Sequence, residues 1–300
     1  MSSPQGAAGW IMDKNTACNG HSPVVAICYD FDKTLSPKDM QEFGLIEKLR
    51  CSARDFWQEA GELAEREGMD HILAYMLLIL KKAGNDIGIT KKDFKALGAR
   101  IDLFPGVESW FGRIADIARA AGVKVEHYII SAGLKEIIEG TPIAGNFDGI
   151  YASSFLYDET GKPYWPCQVV NYTTKTQYLF RISKGCCDLG DEDSVNEFMA
   201  EADRRIPFSN MIYIGDSETD IPAMRVVKNG GGTAIGVYDP ASPDAEKGRK
   251  LLTDERIDFL MPADYTQGSA LETLVATVLA KMSTSSTLTA LNRTQRSTLS

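Results

Sequence analysis

Val24-Val25-Ala26-Ile27-Cys28-Tyr29-Asp30-Phe31-Asp32-Lys33-Thr34 decides how the rest of the chain is read. Six apolar or weakly polar residues in a row predict a central strand. The two aspartates and the threonine then fall in the loop that follows it. Open α/β sheets carry their functional residues just past the carboxyl ends of their strands. Two carboxylates two residues apart repel each other and lose solvation there. A cation, or a substrate that uses both, gives the arrangement a purpose. The same pattern also arises at ordinary Asp-rich strand exits, so its weight rests on what the other strands supply.

Composition narrows the classes. The chain has 300 residues, 44% hydrophobic and 24% charged, as in an ordinary globular protein with one core domain and an inserted module, or with two domains. A net charge of −9 argues against nucleic-acid and anionic-membrane partners, which need a basic surface. It leaves room for a small phosphorylated substrate held by a few local groups. Six cysteines without Cys-x-x-Cys spacing read as reduced thiols, and three histidines without clustered ligands speak against zinc. The first twenty residues lack the apolar segment of a signal peptide. The longest apolar run, Ile72 to Leu80, is short of a bilayer span. A cytoplasmic protein is expected, with its oligomeric state open.

Along the chain, residues 1–20 read as a flexible arm with Trp10 and Ile11 as possible anchors, and 37–102 as a helical insertion. Its predicted helices are Asp39–Arg50, Ser52–Glu67, Asp70–Lys82 and Thr90–Gly98, with Ser52 and Thr90 as N-caps and Gly68 and Gly84 as stops. The apolar stripes of these helices suit core packing, with a few residues able to face a ligand. Residues 21–36 and 103–282 make up a discontinuous α/β core. Val123–Ile130 predicts a strand running into Ser131-Ala132-Gly133, and Met211–Ile214 one running into Gly215-Asp216-Ser217-Glu218-Thr219-Asp220. Helices are expected from Thr173 or Thr174 to Ile182, from Ser194 to about Arg205, and from Ser269 to Lys281. The Ser/Thr-rich tail 283–300 is expected to be disordered.

Three polar signals thus follow three predicted parallel strands: Asp30/Asp32/Thr34, Ser131, and Asp216/Asp220. A parallel sheet brings its strand ends to one edge, which gathers residues a hundred positions apart into one crevice.

On Asp-Phe-Asp-Lys-Thr-Leu at 30–35, Ile-Ile-Ser-Ala-Gly at 129–133 and Ile-Gly-Asp-Ser-Glu-Thr-Asp at 214–220, the chain resembles the haloacid dehalogenase-like (HAD) hydrolase superfamily. The likeness is to its phosphatase branch, in the neighbourhood of phosphoserine phosphatases, over about Pro23 to Lys281. It implies a Rossmann-like, doubly wound, mainly parallel α/β sheet with an inserted α-helical cap. It also implies a Mg²⁺-dependent phosphatase that hydrolyses a small phosphate monoester through an aspartyl-phosphate. Asp30 would be nucleophile and metal ligand. Asp32 would be the proton shuttle and offer its backbone carbonyl to the metal. Asp216 would be a second carboxylate ligand, and Asp220 would hold a metal-bound water or steady the ligands.

Thr34, Ser131 and Ala132 fall on the phosphate side, Thr34 with its hydroxyl on Asp32 or its loop. The family's lysine has no fixed neighbours, which leaves Lys175 and Lys184. Lys175 is preferred, because a lysine at a helix start is disfavoured by the dipole and asks for a reason. Lys33 stands where many members carry glycine. It joins Asp39 and Glu42 as candidates for reading the substrate, although acidic residues in a first helical turn also simply complement the dipole. Phosphotransfer, or a catalytically silent phospholigand-binding protein on the same fold, is the alternative.

Overall fold

The computed structural model describes residues 22–84, 87–242 and 245–299. The arm expected at 1–20 lies outside them. Strand β1 (Val24–Tyr29) lies at the centre of a seven-stranded sheet of order β4-β3-β2-β1-β5-β6-β7. The other strands are β2 (Lys124–Leu134), β3 (Gly149–Tyr157), β4 (Pro163–Gln168), β5 (Met211–Gly215), β6 (Thr233–Tyr238) and β7 (Phe259–Pro262). All pairs are parallel except the β3–β4 hairpin.

The helices are α1 (Leu45–Lys48), α2 (Ala53–Glu67), α3 (His71–Ala83), α4 (Lys91–Gly98), α5 (Val107–Ala120) and α6 (Lys135–Ile138), followed by α7 (Lys175–Lys184), α8 (Glu192–Asn196), α9 (Ile221–Asn229), α10 (Ala245–Thr253) and α11 (Ala270–Leu299).

Side chains of β1 alternate between two cores, as a strand buried on both faces must. Val25, Ile27 and Tyr29 join one core with Ile212 and Ile214 of β5, Trp110 and Ile114 of α5, and Leu271 and Val275 of α11. Ala26 and Cys28 join the other with Met211 and Tyr213, Leu179 of α7 and Met224 of α9. This is the doubly wound layout. Phe56 and Phe94 of α2 and α4 belong to the first core, so the helices between β1 and α5 pack continuously with the sheet.

The chain leaves β1 for β2 and β3 on one side and returns to β5, β6 and β7 on the other. The order therefore reverses at β1, the place where such sheets open a crevice. Tyr29 pairs with Ile129 of β2 and Ile214 of β5, which sets Asp30 level with the end of β5 and with Ile130, just before Ser131.

Four sequence expectations change. The single helix over Asp39–Arg50 is a 3₁₀ turn at Met40–Glu42 and the short α1, broken at Gly44 (φ 115°), where a Cβ would lie 2.6 Å from the Arg100 guanidinium carbon. The helix over Ser194–Arg205 is α8 plus one 3₁₀ turn at Glu201–Asp203. Ahead of it, the Arg181 guanidinium draws the loop round itself by donating to the carbonyls of Asp188 and Asp191 at 2.6 and 2.9 Å. Strand β2 runs through Ser131 to Leu134, with its pairing to β3 shifting register between them.

The tail expected to be disordered is helical to Leu299. No Gly or Pro interrupts it, and Thr284, Thr287, Thr289 and Thr294 donate to carbonyls four residues back. By length and composition α11 is apolar enough to cross a membrane. Leu271, Val275, Val278, Leu279 and Met282 in its first half are nevertheless buried in the first core.

Candidate active site

Residue Asp30 follows β1 directly, its N–H donating to Ile214 O at 2.9 Å across the β1–β5 seam. The chain then turns sharply: the N–H groups of Thr34, Leu35 and Ser36 all reach Phe31 O. Lys33 adopts the left-handed region (φ 57°) to make that turn. A side chain there costs roughly 1–2 kcal/mol, which accounts for glycine being at home at this place.

The turn separates the two carboxylates. Asp30, 6% exposed, points toward β5 and α7; half-buried Asp32 points toward the helical insertion, with Oδ1 accepting from Met40 N–H at 2.8 Å. The hydroxyl of fully buried Thr34 lies 3.5 Å from Asp216 Oδ1. It thus faces the second acidic loop instead of Asp32, because the turn carries it to that side.

Lysine Lys175 opens α7 and is completely buried. Its ammonium lies 2.9 Å from Asp30 Oδ2 and 2.7 Å from Asp220 Oδ1. Asp220 accepts further from Tyr213 OH at 2.7 Å and from Ser217 N and Oγ at 3.3 Å. Both its oxygens therefore serve protein donors. Gly215 makes room for it, since a Cβ there would lie 2.6 Å from Asp220 Cγ. The other lysine considered, Lys184, donates to the carbonyls of Val195 and Glu197, away from the cluster.

Carboxylate oxygens of Asp30, Asp216 and Asp220 lie within 4.8 Å of one another. Burial pushes Asp30 up to about 6, the Lys175 ammonium pulling it back and Asp220 adding to the rise. Burial, with Asp220 and Asp30 nearby, also holds Asp216 well above the usual carboxylate range. Burial, then Asp39 and Asp30, does the same for Asp32. Lys175 stays above its ordinary value: burial opposes the ammonium, and the Asp220 and Asp30 carboxylates outweigh it. One lysine does not offset this much crowded negative charge.

Asp30, Asp32 and Asp216 line a cavity of about 330 Å³ at the carboxyl ends of β1, β2 and β5, with Lys175 and Asp220 buried behind them. Ser131, Ala132 and Gly133 form one wall, and Asp216 and Ser217 another. Ser131 Oγ accepts from Gly133 N–H at 3.1 Å. Lys33 and Asp39 pair at 2.9 Å at the rim. Glu42 stays outside the cavity and reaches it through Trp57, whose indole N–H it accepts at 3.2 Å. A second cavity of about 390 Å³ adjoins over β6 and shares Lys33, Asp216, Ser217 and Thr219.

The insertion supplies a wall that sequence reasoning missed: Gln41, Trp57, Ile72 and Tyr75. Tyr75 OH donates to Ala132 O at 2.8 Å and ties α3 to the loop after β2. Its place on an apolar helical stripe gave it the same pattern as a packing residue. Of the other partners of Asp220, Tyr213 sat unremarked in the strand just before the 214–220 motif and Ser217 inside it.

The model of the haloacid dehalogenase-like hydrolase family matches residues 27–225, which span the helical insertion and every carboxylate of the cluster. The chain belongs to the haloacid dehalogenase-like hydrolase family. A haloacid dehalogenase-like fold is also what the solved structures show. A HAD family hydrolase from Salmonella enterica serovar Typhi superposes with a TM-score of 0.53 at 18% identity, covering 84% of this chain and 69% of the other. A substrate-bound phosphoserine phosphatase gives 0.51 at 14% identity, covering 79% and 91%. At these identities the likeness speaks for the fold. An uncharacterized protein of Borreliella burgdorferi is 26% identical over 287 residues, covering 84% of this chain and 95% of its relative.

Proposed function

We propose that this hydrolase is a Mg²⁺-dependent phosphomonoesterase that acts on a small soluble phosphate ester through an aspartyl-phosphate on Asp30. The observation that carries this reading is the division of labour around one cavity. Asp30 is held by Lys175 on the sheet side, and Asp32, protonated more readily than an ordinary carboxyl, faces it from the insertion side.

The donor set suits a hard divalent cation. Asp30 and Asp216 offer carboxylate oxygens, the Asp32 backbone carbonyl is the further oxygen that the family likeness implies, and Mg²⁺ favours oxygen with one or two carboxylates. When bound, the ion offsets the charge of the phosphate and the carboxylates and orients the ester for in-line attack. Asp220, fully used by Lys175, Tyr213 and Ser217, steadies this set from behind.

In the first step an Asp30 oxygen bonds to phosphorus as the P–O bond to the alcohol breaks, and Asp32 gives its proton to the departing oxygen. In the second step Asp32 takes a proton from water as that water's oxygen bonds to phosphorus and the Asp30 carboxylate leaves. Ser131 Oγ and the backbone N–H of Ala132 are the donors for the phosphate oxygens. The helical insertion serves as a cap that excludes water from the cavity and selects the substrate. Hydrolysis of p-nitrophenyl phosphate with Mg²⁺, abolished by EDTA and restored by Mg²⁺, tests the reading. Metal-independent turnover, or none toward a panel of phosphorylated metabolites, contradicts it.

A further inference from the structure

Beside the carboxylates, one residue that lines the cavity carries a buried polar atom with no partner. Gln41 is 2% exposed and lines the cavity, and its Oε1 accepts no hydrogen bond. The orientation of the amide follows from its neighbour. Tyr75 OH gives its one proton to Ala132 O at 2.8 Å, so toward the Gln41 side chain it acts as acceptor. The amide Nε2 is thereby turned to Tyr75, and Oε1 is the atom left over. An unpaired buried acceptor costs about 1–3 kcal/mol, a cost that a donor on a bound molecule removes.

The rest of that end of the cavity is aromatic and acidic. The rings of Trp57 and Tyr75 meet edge to face with centroids 5.9 Å apart, and the indole is fixed by Glu42. Asp32 and Asp39 contribute carboxyl groups, Asp32 carrying the proton that it gives to the leaving oxygen. Among the described lining residues the one cation is Lys33, and it is already paired with Asp39. Lys175 is sealed beneath Asp30 and does not line the cavity. An anionic group on the leaving alcohol meets an acceptor oxygen and no free cation among these residues.

We infer that the alcohol released carries a hydrogen-bond donor, an amine or a hydroxyl, that Gln41 Oε1 receives, and that it carries no carboxylate or second phosphate. This rests on the phosphomonoesterase reading and makes Gln41 a specificity residue for it. Phosphoethanolamine and O-phosphoserine differ by the α-carboxylate alone, which makes them a matched pair, and glycerol 3-phosphate offers hydroxyl donors in place of the ammonium.

The test is kcat/KM with Mg²⁺ for these three esters and for p-nitrophenyl phosphate. Wild type is expected to prefer phosphoethanolamine or glycerol 3-phosphate over O-phosphoserine by about tenfold or more, and which of the two leads tells amine from hydroxyl. In Gln41→Leu the preferred ester is expected to lose about tenfold relative to p-nitrophenyl phosphate, whereas Gln41→Glu, which keeps an acceptor, retains the preference.

O-phosphoserine used as well as or better than both donor esters overturns the inference, as does a Gln41→Leu ratio equal to wild type. Either result leaves the phosphatase reading standing if p-nitrophenyl phosphate is turned over. No turnover of any ester overturns that reading and this inference with it. The wild-type comparison needs no variant, so a Gln41→Leu protein that fails to fold does not shield the inference.

Discussion

The Asp32 carboxylate accepts a hydrogen bond from the backbone N–H of Met40 at 2.8 Å, which ties the proposed proton shuttle to the first turn of the helical insertion. The Met40 thioether in turn receives the N–H of Leu134 at 3.1 Å, and its methyl occupies the space over Gly133. Three loops are thus keyed together by one methionine, and Asp32 is aimed from the insertion as much as from the sheet.

Substitution Gly133→Ala tests that keying. A Cβ at Gly133 collides with the Met40 methyl and lies 3.1 Å from Asp32 Oδ2. The variant is expected to fold and to lose about 10²-fold in kcat, the scale of a small misplacement of a reacting group. Adding Met40→Ala is expected to restore part of it. Steady-state kinetics beside a circular-dichroism melt reads both; full activity in Gly133→Ala contradicts the account.

Removing the cation between Asp30 and Asp220 has a structural cost as well as a catalytic one. Lys175→Met leaves two buried carboxylates without their partner, and breaking such a contact costs roughly 3–5 kcal/mol. Denaturant unfolding of the metal-free variant is expected to show that loss. A midpoint equal to wild type shows that the lysine does not hold the cluster.

Uncompensated carboxylates also make the folded state responsive to a cation. Mg²⁺ at about a hundred times its Kd is expected to stabilise the protein by ~2.7 kcal/mol, read as a rise in Tm. Asp216→Asn is expected to remove most of that rise, because Asp216 is one of the two carboxylates proposed to hold the ion. An undiminished rise in the variant places the ion elsewhere.

Acid sensitivity has a source outside the cavity lining. Tyr29 OH accepts from Trp110 Nε1 at 2.9 Å and shares a hydrogen bond with His127 Nδ1 at 3.0 Å, and burial pushes the imidazole down from 6.5 to about 4. Because the folded value is the lower one, the unfolded chain binds the proton first. Stability from this group is whole above pH 6.5 and falls as pH drops toward 4, by ~3 kcal/mol in total. Unfolding free energies of wild type and His127→Gln across that window are expected to converge as pH falls; parallel curves contradict the assignment.

The sequence revealed the sheet and the carboxylates for the same physical reason. Apolar runs such as Val24–Tyr29 and Met211–Ile214 are buried on both faces, and each ends abruptly in polar residues. Helix starts were legible where a side chain caps them, as Ser52 and Thr90 do by accepting from Asp55 and Asp93 N–H. The break at Gly44 was hidden, because a helical apolar pattern continues across it. The helical tail was hidden too, since its hydroxyls are satisfied along the helix instead of by solvent. Gln41 and Tyr75 were invisible as cavity residues: spacing shows which face of a helix is buried, and it does not show whether protein or ligand covers that face.

In the proposed reaction Asp30 carries the phosphoryl group. Rapid acid quench of the protein turning over p-nitrophenyl phosphate with Mg²⁺, followed by peptide mass mapping, tests it most directly. The account predicts a phosphoryl group on the peptide containing Asp30, accumulating in Asp32→Asn as the water step slows, and absent together with turnover in a folded Asp30→Asn. Turnover that persists in Asp30→Asn, or that proceeds in wild type with the label on another residue, would contradict it.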